Sequence, residues 1–318
     1  MGKPSLVFGC SGQDGSLLCK SLLEGGQEVI GTSRKNVSEH KNHKTIGITG
    51  ELDIRCVSME NLDDIVNLIK NSQPKHIYNF SAQSSVGLSF QFPHETQSAI
   101  VNTTSNILEA CRIVRYEGKI FFSGSSEIFG ETHQAANLQS PINIKSPYAA
   151  SKYQSLILTR LYRESYEINA ITGIFFNHES HLRDAKFVTQ KIIHGAIECT
   201  KNKNHKLILG NLEVARDWGW AEDFMEGVQI MMNSNRIEDQ IICTGKLTTL
   251  KDFIKITFDQ LGLNWRDHVI SDQRFYRESE IKQSYGDPTK IEKDLGWKAK
   301  TDVKKIVERL IKYYHKFN

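Results

Sequence analysis

A tyrosine and a lysine four positions apart suggest the most chemistry in this sequence of 318 residues. Tyr148 and Lys152 follow Ser146-Pro147, a typical helix start, so both side chains would lie on one helix face. An ammonium group beside a phenol favours the phenolate and lowers its pKa from about 10 towards neutrality. Such a tyrosine can act as a base at a substrate hydroxyl. The same spacing also occurs by chance, so an ordinary helix pair with a half-buried tyrosine is the alternative.

A polar turn upstream of this pair holds a second set of candidate catalytic groups. The apolar segment 119–123 is predicted to be a buried strand, and Ser125 and Glu127 follow it closely. Active-site residues collect at the carboxyl ends of parallel strands. Ser125 would hydrogen-bond a sugar hydroxyl, and Glu127 would act as an acid or a base. Taken alone, Glu127 would more simply be a helix-start residue or an exposed charge.

Three glycines at three-residue intervals form the other chemical signature. Gly9, Gly12 and Gly15 lie between a predicted strand at 5–8 and a predicted helix at 16–24. In that context the first glycine permits a tight turn, the second lets the backbone approach a pyrophosphate, and the third allows close helix–strand packing. The helix N-terminus then offers N–H groups to the phosphates. A structural turn is the alternative, but the strand–turn–helix order favours a dinucleotide site.

The end of the second predicted strand, 28–32, indicates which dinucleotide would bind. A carboxylate there would bind the ribose 2′-hydroxyl of NAD, whereas Arg34-Lys35 suits the 2′-phosphate of NADP. Without the glycine motif, a solvated pair of cations would be a serious alternative. Asp53 and Ile54 are placed at the end of the third predicted strand, where they would hold the adenine edge. Arg55 or Ser58 are the alternatives for that contact.

The elements that would position these groups alternate along the first part of the chain. Strands are predicted near 5–8, 28–32, 76–80, 119–123 and 170–176, and helices near 16–24, 61–70, 95–116 and 148–166. This alternation predicts a Rossmann-type α/β fold, a doubly wound parallel sheet with helices on both faces. Residues 35–50 are predicted to be a loop, with a short strand at 45–48 as the alternative.

Beyond residue 180 the pattern becomes less regular and predicts a smaller mixed α/β lobe. Helices are predicted near 187–199, 223–233, 249–261 and 302–316, with short strands near 207–209 and 240–244. We therefore assign residues 1–176, with parts of 212–245, to a dinucleotide-binding domain. Residues 177–318 would mainly form a substrate-binding lobe.

Composition excludes several classes of protein. Lys plus Arg number 40 and Asp plus Glu 37, so the formal charge of +3 indicates no surface for nucleic acid or an anionic membrane. No stretch has the length of a spanning helix or the pattern of a signal peptide. The six cysteines are widely spaced and contain no CxxC ligand pair, so no metal site is predicted. We expect a soluble cytoplasmic protein with free thiols.

Several short segments along almost the whole chain carry a family resemblance. They are Gly12-Gln-Asp-Gly-Ser16, Ile77-Tyr-Asn79, Ala82-Gln-Ser84, Ser126-Glu127, Ser146-Pro-Tyr148, Phe176-Asn-His-Glu-Ser180, Phe187-Val-Thr189, Leu209-Gly-Asn211, Arg216-Asp-Trp-Gly219 and Gly286-Asp-Pro-Thr-Lys290. Together with the glycine motif and the tyrosine–lysine pair, they resemble the extended short-chain dehydrogenase/reductase family, and within it the GDP-mannose 4,6-dehydratases. The Asn-His-Glu-Ser and Arg-Asp-Trp-Gly segments are the most specific to that subgroup.

The resemblance implies a role for each matching position. Tyr148 would be the base and Lys152 its partner and a ligand of the cofactor ribose. Ser125, where threonine is usual, would orient the sugar oxygen, and Glu127 would be the acid and base of an elimination. The cofactor, NADP, would be bound by Gly9, Gly12, Gln13, Asp14, Gly15, Arg34, Asp53, Ile54, Tyr148, Lys152, His178 and Arg183. The GDP-sugar would be bound by Ser84, Asn177, Lys191, Asn211, Arg216, Arg277 and Glu280.

The implied reaction is the NADP-dependent 4,6-dehydration of a GDP-hexose, with GDP-mannose as the favoured substrate. It oxidises C4 of the sugar, eliminates water across C5 and C6, and returns hydride to C6. A GDP-4-keto-6-deoxymannose reductase and a 4,6-dehydratase of another GDP-sugar are the alternatives. A non-catalytic NADP-binding protein is disfavoured, because Tyr148 and Lys152 are both present. The resemblance also implies a homodimer or a homotetramer.

The chain departs from the family pattern at several places. Phe8 stands where threonine is usual, Phe129 where tyrosine is usual, and His181-Leu182 where a Pro-Arg pair is usual. The segments after Arg34-Lys35 and before Arg277 are shorter than in the family. The first of these loops normally contacts the cofactor phosphate and a neighbouring subunit, so its shortening would limit assembly to dimers.

Overall fold

The computed structural model describes residues 2–33, 40–276 and 280–317. Its strands are β1 Ser5–Phe8, β2 Val29–Ser33, β3 Asp53–Cys56, β4 His76–Asn79, β5 Lys119–Ser125, β6 Ala170–Phe175, β7 Asn177–Glu179, β8 Leu207–Leu209, β9 Ala215–Arg216, β10 Trp218–Trp220, β11 Gln240–Ile242, β12 Thr248–Thr249, β13 Val269–Ser271 and β14 Gln283–Ser284. Its α-helices are α1 Gln13–Glu24, α2 Lys41–Ile46, α3 Leu62–Ser72, α4 Val86–Gln91, α5 Pro93–Gln97, α6 Thr103–Ile113, α7 Pro147–Tyr166, α8 Val188–Lys201, α9 Ala221–Asn233, α10 Leu250–Gln260, α11 Thr289–Leu295 and α12 Val303–Phe317.

A parallel sheet forms the centre of the molecule. Over the described ranges it has seven strands in the order β11-β6-β5-β4-β1-β2-β3, and every neighbouring pair is parallel. The chain winds from β1 to one edge, returns, and continues from β4 to the other edge. In such sheets ligands bind at the carboxyl ends of the strands, where the winding reverses. The predicted Rossmann-type α/β fold is confirmed.

Apolar side chains fill both faces of this sheet. β1 and β4 are buried along their whole length, as expected for strands covered by helices on both sides. Val7 points to a cluster that contains Leu22 of α1 and Phe224 of α9, whereas Phe8 points to a cluster that contains Ile65 of α3. Within the described ranges, none of the helices combines the length and the apolar character needed to cross a membrane.

A separate core lies under the C-terminal half of the chain. α8, α10 and α12 pack around Ile193, Phe253, Ile306 and Trp218. Short sheets with the orders β12-β9-β14, β10-β7 and β13-β8 complete this lobe. β11 and α9 belong instead to the first unit, because β11 pairs with β6 and α9 packs on α1.

The structure changes two predictions about local structure. Residues 41–46, predicted to be a loop or a short strand, form α2, which ends at Gly47 with φ of +76°. Helix α2 buries His43 beneath the turn after β1, so a tertiary contact rather than apolar periodicity stabilises it. The single helix predicted over 95–116 is also interrupted, because a π-helical turn at Ser98–Asn102 separates α5 from α6.

The position of the third strand is also different from the prediction. β3 begins at Asp53 and ends at Cys56, so Asp53 and Ile54 lie at its amino end rather than at its carboxyl end. The Asp53 carboxylate instead accepts from the guanidinium of Arg55, at 2.6 Å. The register of the parallel pairing with β2 explains the difference. The paired strand continues to Cys56, two residues beyond Ile54. Ser58, one of the two alternatives, follows the true strand end.

Candidate active site

The glycine turn joins β1 to α1, and its three glycines meet different surroundings. A methyl group on Gly9 would lie 2.6 Å from the backbone nitrogen of Ser81. A methyl group on Gly15 would lie 2.2 Å from the carbonyl oxygen of Gly9. At Gly12 the nearest atom would be 3.5 Å away, which is ordinary contact distance. Packing therefore requires the first and third glycines, whereas the protein itself leaves room in front of the second.

The N-terminus of α1 has the features that a diphosphate requires. Gly12 is the N-cap residue and, as a glycine, has no side chain to cap the helix. The first N–H groups of a helix lack intrahelical partners and carry the positive end of the helix dipole. A glycine without a side chain lets an anion approach them closely. The turn therefore fits the diphosphate of a dinucleotide.

Two alanine substitutions should separate packing from phosphate binding. Gly15→Ala should lower the free energy of unfolding by about 2 kcal/mol or more, because its methyl group would overlap a backbone carbonyl. Gly12→Ala should melt near the temperature of the parent protein but bind the dinucleotide about a hundredfold more weakly, because its methyl group would block the phosphates. Calorimetric melting and titration measure the two effects. Unchanged dinucleotide affinity in Gly12→Ala would contradict this assignment.

A partly buried ion pair lies beside the turn, between α1 and β7. His178 Nδ1 lies 2.8 Å from the carbonyl oxygen of Phe176, and Nε2 lies 3.1 Å from both carboxylate oxygens of Asp14. Burial opposes a charged ring, yet the negative charge and hydrogen bond of Asp14 raise the pKa of His178. Burial also opposes a charged carboxylate, yet His178 brings the pKa of Asp14 down to about 2. Both ring nitrogens face acceptors, so His178 carries two protons.

Gln13 connects the same region through its side chain. Its amide nitrogen donates to Asp14 Oδ1 at 2.9 Å, and its amide oxygen accepts from Ser180 Oγ at 2.9 Å. These contacts join the first turn of α1 to the segment after β7. Because the side chain is engaged within the protein, the predicted cofactor contact of Gln13 would involve its backbone.

A cavity of about 530 Å³ opens at the carboxyl edge of the sheet and is lined by residues of both lobes. Its volume is typical of small-molecule sites. The predicted site residues that line it are Asp14, Ser84, Ser125, Glu127, Tyr148, Lys152, Asn177, His178, Arg183, Lys191, Asn211, Arg216 and Glu280. Residues that are far apart in the sequence therefore face one space.

Tyr148 and Lys152 occupy the first turns of α7, on the side that borders the cavity. Lys152 Nζ lies 5.9 Å from the centre of the Tyr148 ring and donates to the carbonyl oxygen of Ser123 at 2.8 Å. The start of the helix is well defined, because Ser146 Oγ accepts from the N–H of Ala149 at 3.1 Å. The cap at Ser146 and the buried ammonium of Lys152 together fix the position of the Tyr148 phenol at the cavity.

The electrostatics of this pair differ from the sequence prediction. Burial raises the pKa of Tyr148 to about 12; the hydrogen bond from Ser125 opposes this shift, and the charge of Glu127 adds to it. Burial lowers the pKa of Lys152 to about 8. The prediction that Lys152 by itself brings the pKa of the phenol towards neutrality is wrong. Both groups lose solvation, and the ammonium is directed at the carbonyl of Ser123 rather than at the phenol.

Ser125 and Glu127 complete a cluster with the tyrosine. Ser125 ends β5, and its Oγ accepts from the N–H of Glu127 at 3.3 Å while it also hydrogen-bonds the phenol of Tyr148. The chain then makes a 3-10 turn at Ser126–Phe129, which Gly130 closes with φ of +61°. A hydroxyl, a carboxylate and a phenol on one cavity wall can move protons at adjacent atoms of a bound substrate.

Cations from the C-terminal lobe line another part of the cavity. Arg216 belongs to β9, and Lys191 to α8. Next to Arg216, the carboxylate of Asp217 is fully buried and accepts from the N–H groups of Thr244 and Gly245, both at 2.9 Å. Asp217 thereby anchors β9 to the segment that follows β11. An arginine and a lysine at one cavity suit a phosphate-bearing ligand.

Arg183 lies where the two lobes meet. Its guanidinium stacks on the ring of Phe187 at 3.7 Å, and its Nε lies 3.7 Å from Glu179 Oε2. Glu179 is buried and accepts from Thr189 Oγ1 at 2.7 Å. Arg183 Nε is buried and makes no hydrogen bond to the described residues. The Nε group therefore faces the Glu179 carboxylate, while Arg183 as a residue lines the cavity.

Arg34 and Arg277, predicted to bind the cofactor and the substrate, lie outside the described residues, as does Lys35. Conversely, some residues line the cavity although no role is predicted for them from the sequence: Gln83, Lys186, Phe187, Ile208 and Phe275. Gln83 had a detectable signal, since it follows the strand predicted at 76–80. Ile208 and Phe275 had none, because apolar residues in short irregular segments look like core residues.

Comparison with known proteins places this architecture in a family. A family model described as GDP-mannose 4,6 dehydratase matches residues 6–310. The chain belongs to this family. GDP-mannose 4,6 dehydratase 1 of Arabidopsis thaliana is 34% identical, with 97% of this chain and 89% of that protein covered. The GDP-mannose 4,6-dehydratase of Sinorhizobium fredii is 31% identical, with 98% and 96% covered.

Solved structures show the same fold at lower sequence identity. The dTDP-glucose 4,6-dehydratase of Streptomyces venezuelae, with NAD and TYD bound, superposes with a TM-score of 0.87 at 21% identity and covers 99% of this chain and 97% of its own. The UDP-glucose 4-epimerase of Thermus thermophilus, in complex with NAD, has a TM-score of 0.83 at 22% identity, with 96% and 98% covered. At these identities the likeness concerns the fold alone.

The departures from the GDP-mannose 4,6-dehydratase pattern serve internal packing. His181 stacks on Tyr313 of α12 with ring centres 4.3 Å apart, and Leu182 joins the core beside α1 and α9. Phe129 packs inside the molecule beneath the turn that carries Glu127, where it belongs to a small apolar cluster. Phe8 is fully buried. These four residues therefore contribute apolar contacts at positions where the family usually has other groups.

Proposed function

We propose that this chain catalyses the 4,6-dehydration of a GDP-hexose, with GDP-mannose as its substrate. The observation that carries the proposal is the cluster of Ser125, Glu127 and Tyr148 on one cavity wall. Elimination of water across C5 and C6 requires an acid and base besides the group that acts on the 4-oxygen, and Glu127 supplies it. The names of the relatives in Arabidopsis thaliana and Sinorhizobium fredii support the same reaction.

The cofactor of the proposed reaction is a nicotinamide dinucleotide, and we propose NADP. The Streptomyces and Thermus structures hold NAD on the same fold, which supports this class of cofactor. The glycine turn, with the uncapped N-terminus of α1, fits its diphosphate. The preference for NADP rests on Arg34-Lys35, because a chain that selects NAD would carry a carboxylate after β2. Calorimetric titration tests this choice: tighter binding of NAD⁺ than of NADP⁺ would overturn it.

The chain's own residues would supply the proton transfers. When bound, a nicotinamide dinucleotide would supply the hydride chemistry between C4 and C6 of the sugar. Tyr148 takes the proton of the 4-hydroxyl while Ser125 holds that oxygen in place. The resulting ketone acidifies the hydrogen on C5, which Glu127 removes and transfers to the departing 6-hydroxyl, so that water leaves. The proton held by Tyr148 then returns to C5, and the product is the 4-keto-6-deoxy sugar nucleotide.

The remaining residues would hold the substrate against this cluster. Arg216 and Lys191 would bind the diphosphate, with Asp217 keeping β9 in place. Lys152 would bind the cofactor ribose while its ammonium is held by Ser123. Ser84, Asn177, Asn211 and Glu280 would complete the site as hydrogen-bonding groups, and Arg277 would add a second guanidinium at the diphosphate.

Mass spectrometry of the purified protein with GDP-mannose, NADP⁺ and no reductant tests the proposal directly. The expected product has lost one water, with no net change in the reduced cofactor. Net consumption of NADPH with the 4-keto-6-deoxy sugar as substrate would instead show a reductase. Turnover of a different GDP-hexose but not of GDP-mannose would correct the substrate and leave the reaction class in place.

We also propose that the protein is a homodimer formed through α6 and α7. Ile157 and Leu161 lie one turn apart on α7 and are 47% and 48% exposed, and Ile113 on the neighbouring α6 is 47% exposed. Adjacent helices with such side chains favour burial against a second copy. Leu161→Glu should therefore yield monomers in light scattering. Ile270→Glu, an equally exposed apolar site on β13, is the matched control and should leave the assembly unchanged. A parent protein that is itself monomeric would contradict the proposal.

Two further proposals concern organisation and compartment. The dinucleotide-binding domain would comprise residues 1–176 with part of 212–245, and the sugar-nucleotide lobe most of 177–318. The pairing of β11 with β6 and the separate core around α8, α10 and α12 support this division. The six free thiols, five of them buried, favour a reducing compartment such as the cytoplasm.

A further inference from the structure

Helix α2 lies against the glycine turn and holds it through two hydrogen bonds. Asn42 Nδ2 donates to the carbonyl oxygen of Ser11 at 2.9 Å, and His43 Nε2 lies 2.8 Å from the carbonyl oxygen of Cys10. We propose that Asn42 and His43 are positioning residues that hold the turn in the conformation that receives the dinucleotide diphosphate. This inference rests on the proposed function, since it assumes that the turn binds a dinucleotide.

The hydrogen bond to the Cys10 carbonyl defines the protonation state of His43. A carbonyl oxygen can only accept, so Nε2 carries a proton and donates. The ring is 1% exposed, and burial lowers the pKa of His43 although the bond to Cys10 opposes that shift. The working form is therefore a neutral imidazole with its proton on Nε2. Because the ring is enclosed, His43 acts through the turn and not by touching a ligand.

The Cys10 carbonyl is held from a second side as well. Ser16 Oγ, in the first turns of α1, donates to the same oxygen at 2.9 Å, and Cys10 Sγ donates to the carbonyl oxygen of Thr32 at 3.3 Å. The Cys10 carbonyl accepts from two donors and the Ser11 carbonyl accepts from one. These bonds hold the orientation of two consecutive peptide groups. The turn is thereby tied to α1, α2 and β2 simultaneously.

The orientation of these peptides matters for an anion. A glycine-rich turn can rotate its peptide planes at small cost, and each rotation exchanges an N–H for a carbonyl oxygen on a given side. With the Cys10 and Ser11 carbonyls held towards α2, neither oxygen is presented to the opposite side of the turn. A carbonyl oxygen turned towards a diphosphate would repel it. The two side chains therefore preorganise the turn, which increases affinity by removing the cost of ordering it on binding.

Calorimetric titration of NADP⁺ and of GDP into matched variants tests the inference. His43→Phe retains the ring but removes the donor, and we expect it to bind NADP⁺ about tenfold to a hundredfold more weakly while its affinity for GDP stays within about twofold. His43→Gln retains an N–H donor and should recover part of the loss. Asn42→Ala should cost about threefold to tenfold.

A helix-cap variant elsewhere in the same domain provides the control. Asn61 caps α3 by accepting from the N–H of Asp63 at 3.0 Å, so Asn61→Ala should lower the melting temperature without changing the affinity for NADP⁺. Folded His43→Phe and Asn42→Ala proteins that bind NADP⁺ as tightly as the parent would overturn the inference alone. If His43→Phe fails to fold, Asn42→Ala still decides. A parent protein that binds GDP but neither NADP⁺ nor NAD⁺ would overturn the cofactor proposal and this inference with it.

Discussion

Replacing Glu127 with glutamine should reduce the rate of dehydration about a thousandfold while leaving the oxidation at C4 in place. The amide can neither take the proton from C5 nor return one to the departing 6-hydroxyl, whereas Tyr148 still acts on the 4-hydroxyl. A GDP-4-ketohexose that retains its 6-hydroxyl should therefore accumulate at the level of the enzyme. Rapid quenching followed by mass spectrometry detects it. Exchange of solvent deuterium into C5 should slow by a similar factor.

Glu131→Gln is the matched control for this experiment. Glu131 lies four residues further along the chain and is not among the residues that line the cavity. The control should turn over at the parent rate. If Glu127→Gln retained full dehydration, or if it lost C4 oxidation to the same extent as the elimination, Glu127 would not be the acid and base of the elimination.

Replacing Tyr148 with phenylalanine should abolish the oxidation itself, with a loss of about a thousandfold or more. Its phenol takes the proton of the 4-hydroxyl, so no ketone forms and the elimination has no acidic hydrogen at C5 to begin from. Neither the intermediate seen with Glu127→Gln nor the final product should appear. The next tyrosine along the same helix offers the control. Tyr153→Phe removes a phenol that does not line the cavity, and it should leave the rate unchanged.

The pH dependence of the oxidation should follow the state of the phenol. Burial raises the pKa of Tyr148 to about 12, so the base form is scarce at neutral pH and grows as pH rises. The single-turnover rate of C4 oxidation in the parent protein should therefore increase between about pH 6 and pH 8. Burial lowers the pKa of Lys152 to about 8, so above that pH the charge that donates to the carbonyl of Ser123 declines. A rate that falls steadily from pH 6 upwards would contradict the role of Tyr148.

Most of the sheet and its long helices could be predicted from the sequence because their signals are local. Apolar runs such as 5–8, glycine turns and capped helix starts such as Ser146-Pro147 depend on a few neighbouring residues. The position of β3 could not be predicted this way. Pairing with β2 determines where that strand ends, so local patterns put Asp53 and Ile54 at the wrong end of it.

The sequence by itself determined which chemistry is present. The glycine spacing, the Tyr148–Lys152 pair and the polar turn with Ser125 and Glu127 are each encoded within a few residues, and family membership follows from segments spread over the chain. Covalent neighbours are enough for these features, since capping, periodicity and turn formation act over one or two helical turns.

The tertiary structure alone decided how far the pKa values of these groups are shifted and which residues hold them in place. The high pKa of Tyr148 and the low pKa of Lys152 arise from burial, which depends on residues brought together from both lobes. Helix α2 forms because His43 is buried against the glycine turn, and Phe275 becomes a cavity wall only through the packing of the second lobe. Desolvation and long-range contacts are properties of the packed chain, and no local pattern in the sequence carries them.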